Sequence, residues 1–409
     1  MKFDEVLKEQ VLILDGAMGT MALDLNLDDS AFGGSLFKML TDLLTFSRPE
    51  DLESIHAKYL RAGANIIETN TFGASPLRLK EFDFSQIDVS GMHGVPEGLD
   101  LKAQDFEAIT RHLNVKACEI ARKAVERYRA SAEYDGRPLF IAGSIGPSNY
   151  VVSGTLANLK QAAFDQIALN NYHQVAGLIE GGADILLFET QQDILELKAS
   201  LIGAKKAFAE KRKTLPVMVQ VTVDEFSKMQ IFNTDIHAAY VAVAGMGIDT
   251  FGVNCNVGPA ELRSTVEKLG RISRHPISIV PNAGQPVSED GKTCYKLTPE
   301  EMAEIMEPFI REGGVSIVGG CCGTRPEHIK ALSERLKGAV PLKRVTDNGV
   351  YISGPQEAVL LDSSENLVRI GEKLNIRGSK KIRDAVEGES GVQLETLEET
   401  MNQQVKDLG

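Results

Sequence analysis

Three of the five cysteines in this sequence are placed where they could do chemistry together. Cys321 and Cys322 are adjacent in Gly319-Gly-Cys-Cys-Gly-Thr324, and Cys255 lies in Gly252-Val-Asn-Cys-Asn256. All three follow short apolar runs, so their thiols are expected at strand ends. Three thiolates around one point suit Zn2+, which takes sulfur tetrahedrally at about 2.3 Å and would keep a fourth position open here. The flanking glycines let the backbone turn so that neighbouring cysteines, opposed on a regular strand, can face one ion. A closed structural zinc site would instead show paired C-x2-C knuckles, and the sequence has none. A vicinal disulfide between Cys321 and Cys322 is the redox alternative, and it would be strained. Cys118, inside the helical run 115–124, reads as a small buried hydrophobe, and Cys294 in SEDGKTCYKL has no strand end to present it as a fourth ligand.

Polar residues close the other apolar runs as well. In order they are Asp15; Glu68, Asn70 and Thr71; Ser144; Glu189 and Thr190; Thr222; Asn254 and Asn256; and Asn282. Taken singly, Asp15 reads as a turn cap and Glu189 as a helix-terminal charge. Beside an open metal, such a set suits a zwitterion, with carboxylates on its ammonium and backbone N–H groups on its carboxylate. The seven histidines (His56, His93, His112, His173, His237, His275, His328) are scattered without H-E-x-x-H spacing, which disfavours a hydrolytic zinc site.

The elements that must position these groups follow from hydrophobic period. Eight short runs rich in Val, Ile and Phe (11–15, 65–69, 139–144, 185–189, 217–223, 250–255, 277–281, 315–318) alternate with helical stretches such as 52–62, 108–130, 159–180, 194–209 and 299–312. The pattern predicts an α/β chain folded as a (β/α)8 TIM barrel, with its site at the C-terminal ends of the strands. A doubly wound open sheet would place G-x-G-x-x-G after the first strand, and Asp15-Gly-Ala-Met-Gly-Thr20 is not that motif. Residues 83–105 break the alternation and read as an inserted loop or lid. The expected domains are a barrel over 1–340, a linker or wrapping arm over 341–366, and a C-terminal βα extension over 367–409 that would need a further surface to bury its apolar face.

Composition narrows the class of partner. Of 409 residues, 57 are acidic and 44 basic, a net charge of −13. That balance lacks the basic footprint a nucleic acid or an anionic membrane surface requires. The N-terminus carries no secretory signal, no run approaches the length of a membrane span, and an odd cysteine number fits a reducing compartment. The expectation is a cytoplasmic protein acting on small molecules.

The segments LILDGAMGTM, ETNTFGAS, GSIGP, FET, GVNCNVGP, PNAGQP and GGCCGTRPEHI stand in one order across about residues 5–337. In that order they resemble the homocysteine S-methyltransferase family. The stretch Asp42-Leu-Leu-Thr-Phe-Ser-Arg-Pro-Glu50 and the long N-terminal loop look most like the N-terminal homocysteine-binding module of cobalamin-dependent methionine synthases. The tail Leu367-Val-Arg-Ile-Gly-Glu-Lys-Leu-Asn-Ile-Arg-Gly-Ser379 is similar to the opening of the pterin (methyltetrahydrofolate)-binding barrel that follows it in those enzymes.

The resemblance implies zinc held by Cys255, Cys321 and Cys322, with Asn282 near the fourth position. It implies that Asp15 and Glu189 hold the homocysteine amino group, with Ser144 and Thr20 among the substrate contacts. The activity implied is methyl transfer to homocysteine, giving methionine. Methylcobalamin would be the donor, carried by another domain or a separate corrinoid protein, since only the first unit of a folate barrel is expected in this chain. A stand-alone methyltransferase using betaine or S-methylmethionine is the rival enzyme reading, and a non-catalytic zinc- or thiol-binding module the rival outside catalysis. Phe232-Asn233-Thr234 stands where the family has small residues and glycine, so the surroundings of the substrate are expected to differ there.

Overall fold

A computed structural model describes residues 2–156, 158–289 and 292–361 of the chain. Eight parallel strands form one sheet: β1 (Leu12–Ile13), β2 (Ile66–Glu68), β3 (Phe140–Ile145), β4 (Ile185–Gln191), β5 (Val217–Val221), β6 (Thr250–Asn254), β7 (Ile277–Val280) and β8 (Val315–Val318). Each pairs with its sequence neighbour from β2 to β8, and β8 pairs with β1 through Leu12–Ile317 and Ile13–Val318. A parallel bridge between Leu14 and Ile66 joins β1 to β2, so the sheet closes into a barrel. Eight helices return the chain along the outside: α1 (Pro49–Ala62), α2 (Phe106–Arg129), α3 (Phe164–Gly181), α4 (Ile194–Lys211), α5 (Ile236–Val243), α6 (Arg263–Ile272), α7 (Pro299–Arg311) and α8 (Pro326–Arg335).

The two-residue period of each strand divides its side chains between lumen and helices. Leu12, Leu14, Ile66, Phe140, Ala142, Ile185, Leu187, Met218, Val280 and Ile317 pack into one cluster inside the barrel. Ile13, Ile67, Ile141, Leu186, Phe188, Val217, Val219, Phe251 and Val253 join the outer cluster under the helices. Continued upward, that parity points Glu68, Ser144, Glu189 and Asn254 inward at the C-terminal mouth. The other mouth is stoppered by the N-terminal helix Phe3–Glu9, whose Phe3, Val6 and Leu7 enter the inner cluster. The Phe3 ring meets Phe140 edge-on, with centroids 5.5 Å apart.

Helix α3 begins at Phe164, five residues later than its period predicts from Leu159. Lys160–Gln161 pair with Tyr150–Val151 instead, so the chain before the helix returns to the segment that follows β3. That segment is fastened to the start of α4: Asp193 accepts from the amides of Val152 (2.7 Å) and Ser153 (2.9 Å), and Glu196 from that of Ser148 (2.7 Å). The 83–105 insertion folds as a lobe with two short 3-10 turns, Phe84–Gln86 and Leu101–Ala103. Its Phe84 packs edge-on against Phe37 and Phe106, so it rests on the loop that follows β1.

The barrel unit comprises Met1–Asn348 and Ile352–Val359; of the second unit, Gly349–Tyr351 and Leu360–Gly409, the residues from 362 onward are not described. The extension expected over 367–409 therefore lies outside the described residues. Beyond α8, Arg344 donates to the carbonyls of Ser273 and His275 behind α6, both at 2.6 Å. Thr234 and Asp235, beside the atypical Phe232, hydrogen-bond to Pro355 and Gln356.

Candidate functional site

Cys255, Cys321 and Cys322 converge at the C-terminal mouth, with all three sulfurs within 4.8 Å of one another. Cys255 follows β6 directly, in a left-handed conformation with φ +64°, and Asn256 continues it at +67°. Such backbone costs about 1–3 kcal/mol per residue outside glycine, and at a site it serves to aim a side chain. The Cys321–Cys322 loop follows β8 and turns through Gly323, φ +78°, where a Cβ would lie 2.3 Å from the Tyr295 ring. Main-chain bonds from Cys255 N to Val280 O (3.1 Å), Cys321 N to Pro281 O (2.8 Å) and Ala283 N to Cys322 O (2.9 Å) tie both cysteine segments to β7 and its loop.

These donors fit a metal. Cys255 Sγ and Cys322 Sγ stand 3.7 Å apart, which agrees with the edge of about 3.8 Å of a tetrahedron with 2.3 Å metal–sulfur bonds. Without metal the sulfurs share protons: hydrogen bonds from Cys255 and Cys321, with a contribution from the Tyr295 hydroxyl, hold Cys322 as a thiolate down to about 3. Hydrogen bonds to Cys255 and Cys322, together with burial, push Cys321 well above the usual thiol range. Asn282, just past β7, is buried with its Oδ1 unpartnered.

A carboxylate cluster lies beside the sulfurs. Asp15 is 1% exposed; its Oδ2 accepts the Glu68 amide at 3.1 Å, and its Oδ1 has no partner. Burial raises Asp15 well above the carboxylate range, the Glu68 amide opposes this, and the charge of Glu189 adds to it. Glu68 is raised likewise, by burial first and then by Glu189 and Asp15. Glu189 is pushed up to about 7 by burial against the Ser144 hydroxyl, which donates to its Oε1 at 2.5 Å. No lysine or arginine among the described residues offsets the three. Two buried acids and a partly buried third, with no cation among them, suit an ammonium group.

Asn254 bridges the two halves. Its Nδ2 reaches Thr190 Oγ1 (2.9 Å), Glu189 Oε2 (3.3 Å) and Cys321 Sγ (4.0 Å), while its Oδ1 accepts from Thr190 N at 2.7 Å. Thr20 stands in the short helix Met18–Asp24 that follows β1, and its hydroxyl accepts from Gly323 N at 3.1 Å. Cys118 is fully buried, with its thiol pushed up to about 12 by burial, and Cys294 ends a short hairpin strand (Lys292–Cys294) outside the sulfur cluster. Sequence reasoning did not single out Tyr295, which covers Gly323; no local period marks it, because its place depends on the hairpin before it.

Residues 12–336 match the sequence profile described as homocysteine S-methyltransferase. The chain belongs to the homocysteine S-methyltransferase family. Among curated relatives, methionine synthase of Mycobacterium tuberculosis is 34% identical over 385 residues, 93% of this chain and 29% of that protein. Methionine synthase of Mycobacterium leprae is 33% identical over 389 residues, again 93% of this chain and 29% of the relative. The chain thus spans under a third of the length of these relatives. Among solved structures, the metallated form of the homocysteine methyltransferase MmuM from Escherichia coli shares the fold, with a TM-score of 0.60 at 23% identity over 81% of this chain and 99% of that one. The family assignment agrees with a barrel whose mouth gathers thiols and acids. Among the described residues no helix is long and apolar enough to cross a membrane.

Proposed function

We propose that this homocysteine S-methyltransferase binds zinc through Cys255, Cys321 and Cys322 and makes methionine with methylcobalamin as the methyl donor. The observation that carries the reading is the convergence of three sulfurs beside a cation-free carboxylate cluster. When bound, zinc supplies the Lewis acidity that keeps the substrate thiol deprotonated at neutral pH.

The chain's own residues supply the rest. Cys255, Cys321 and Cys322 place negative charge around the reacting sulfur and so keep it nucleophilic. Glu189 and Asp15 receive the ammonium group, and that cation favours their charged forms, which burial alone disfavours. Ser144 fixes the Glu189 carboxylate through the bond to Oε1. Asn282, whose Oδ1 is buried without a partner, would offer that oxygen to the ligand. Asn254 fixes the carboxylate and Cys321 relative to each other, so the amino end and the sulfur end are presented in one register. The methylcobalamin would come from another domain or a separate corrinoid protein, as the relatives' greater length suggests.

The test is bound zinc and methionine formation from homocysteine with free methylcobalamin, for the wild type and for Cys255→Ser, Cys321→Ser and Cys322→Ser. Expected are one zinc per wild-type chain, and loss of both metal and turnover in each variant. Zinc retained by all three variants would contradict the ligand set. Activity with betaine or S-methylmethionine but not methylcobalamin would replace the donor.

A further inference from the structure

Thr324 is fully buried, and its side chain joins the cysteine loop to the Asp15 loop. Its Oγ1 accepts from Ala17 N at 3.1 Å and donates to Cys321 O at 2.6 Å. One hydroxyl therefore joins the residue two after Asp15 to the carbonyl of a candidate metal ligand. The Tyr59 hydroxyl, on α1, lies 3.3 Å from both Ala17 O and Thr324 O and straps the same two segments from below. Gly320 N donates to Asp15 O at 3.1 Å, and Gly323 N to Thr20 Oγ1 at 3.1 Å. Two glycines make room for the joint: a Cβ at Gly16 would meet Thr324 Oγ1 at 2.9 Å, and one at Gly320 would meet the Thr324 side chain at 2.4 Å.

We propose that Thr324 is a positioning residue whose hydroxyl sets the offset between the cysteine loop and the Asp15 carboxylate, and so selects the length of the amino-acid substrate. The inference rests on the zinc and homocysteine reading above. A substrate held at both its sulfur and its ammonium group spans a fixed number of bonds. With the two anchors locked together, homocysteine fits and cysteine, one methylene shorter, falls short of one of them. With the lock released, the loops can shift and the shorter thiol loses its disadvantage. The same hydroxyl steadies the Cys321 main chain, so the metal is held more tightly when it is present.

The experiment compares wild type, Thr324→Val and Thr324→Ser as intact zinc-loaded protein. Zinc affinity is read by chelator competition, and substrate choice by the ratio of kcat/KM for homocysteine to that for cysteine. Loss of a residue that orients a metal ligand weakens metal binding roughly 10–100-fold, and a methylene is discriminated about 10–200-fold. Thr324→Val is expected to bind zinc about tenfold more weakly and to lose most of the homocysteine preference, whereas Thr324→Ser keeps both. Should the valine variant fail to fold, Tyr59→Phe is expected to move both readouts in the same direction by less. Unchanged affinity and preference in the valine and phenylalanine variants would overturn the proposal, as would a serine variant as impaired as valine, since bulk and not the hydroxyl would then matter. A wild type that holds no zinc sinks the site reading and this inference with it, whereas failure confined to the variants sinks this inference alone.

Discussion

Glu189 sits between opposing influences. Burial lifts its carboxyl from the usual 4.5 to about 7, while the Ser144 hydroxyl favours the charged form and a neighbouring thiolate at Cys322 opposes it. A carboxyl whose folded pKa is raised contributes stability that is complete below its unfolded value and lost as pH rises through the folded one. In metal-free protein, Glu189→Gln is therefore expected to gain in melting temperature relative to wild type between about pH 4.5 and pH 7. Thermal melts across that window check it, and parallel curves for the two proteins would contradict it. At this scale the sequence was legible where chemistry sits at a strand end: the three cysteines, Asp15, Ser144, Glu189 and Asn282 all surround one mouth. Thr20 was legible as a residue of the region, but its hydroxyl serves Gly323 N. Tyr295 and the bridging role of Asn254 depend on contacts between distant segments, which no local pattern encodes.

The elements show the same division between local and tertiary causes. All eight strands were readable, because strands buried on both faces are short, apolar and β-branched. The start of α3 was not, since the pairing of Lys160–Gln161 with Tyr150–Val151 overrides a continuous helical period. Turns carry the finest tolerance. Gly323 and Gly98 are both left-handed, with φ of +78° and +84°, but only a Cβ at Gly323 meets a neighbour, the Tyr295 ring. Gly98→Ala is expected to cost about 1–3 kcal/mol in urea unfolding, and Gly323→Ala more, because its Cβ also meets the Tyr295 ring. Gly323→Ala should also weaken zinc binding, and Gly98→Ala should leave it unchanged. Equal zinc affinity in both variants would show that the Gly323 turn does not shape the metal loop.

Across the whole molecule, stability and chemistry occupy opposite mouths of the barrel, as expected where strand C-termini carry the site. Phe3 closes the far mouth against Phe140. Phe3→Ala should cost roughly 3–5 kcal/mol in denaturant unfolding without changing zinc affinity, and a coupled loss of metal would contradict that separation. The charge of −13 keeps the surface acidic, whereas burial makes the carboxyls at the mouth weaker acids. The central claim is that three cysteine sulfurs hold zinc and the substrate sulfur completes the set. Zinc K-edge X-ray absorption tests it most directly. The account predicts three sulfur neighbours at about 2.3 Å in the zinc-loaded protein, rising to four when homocysteine is added; a sulfur count that stays the same on adding homocysteine, or that starts below three, would contradict it.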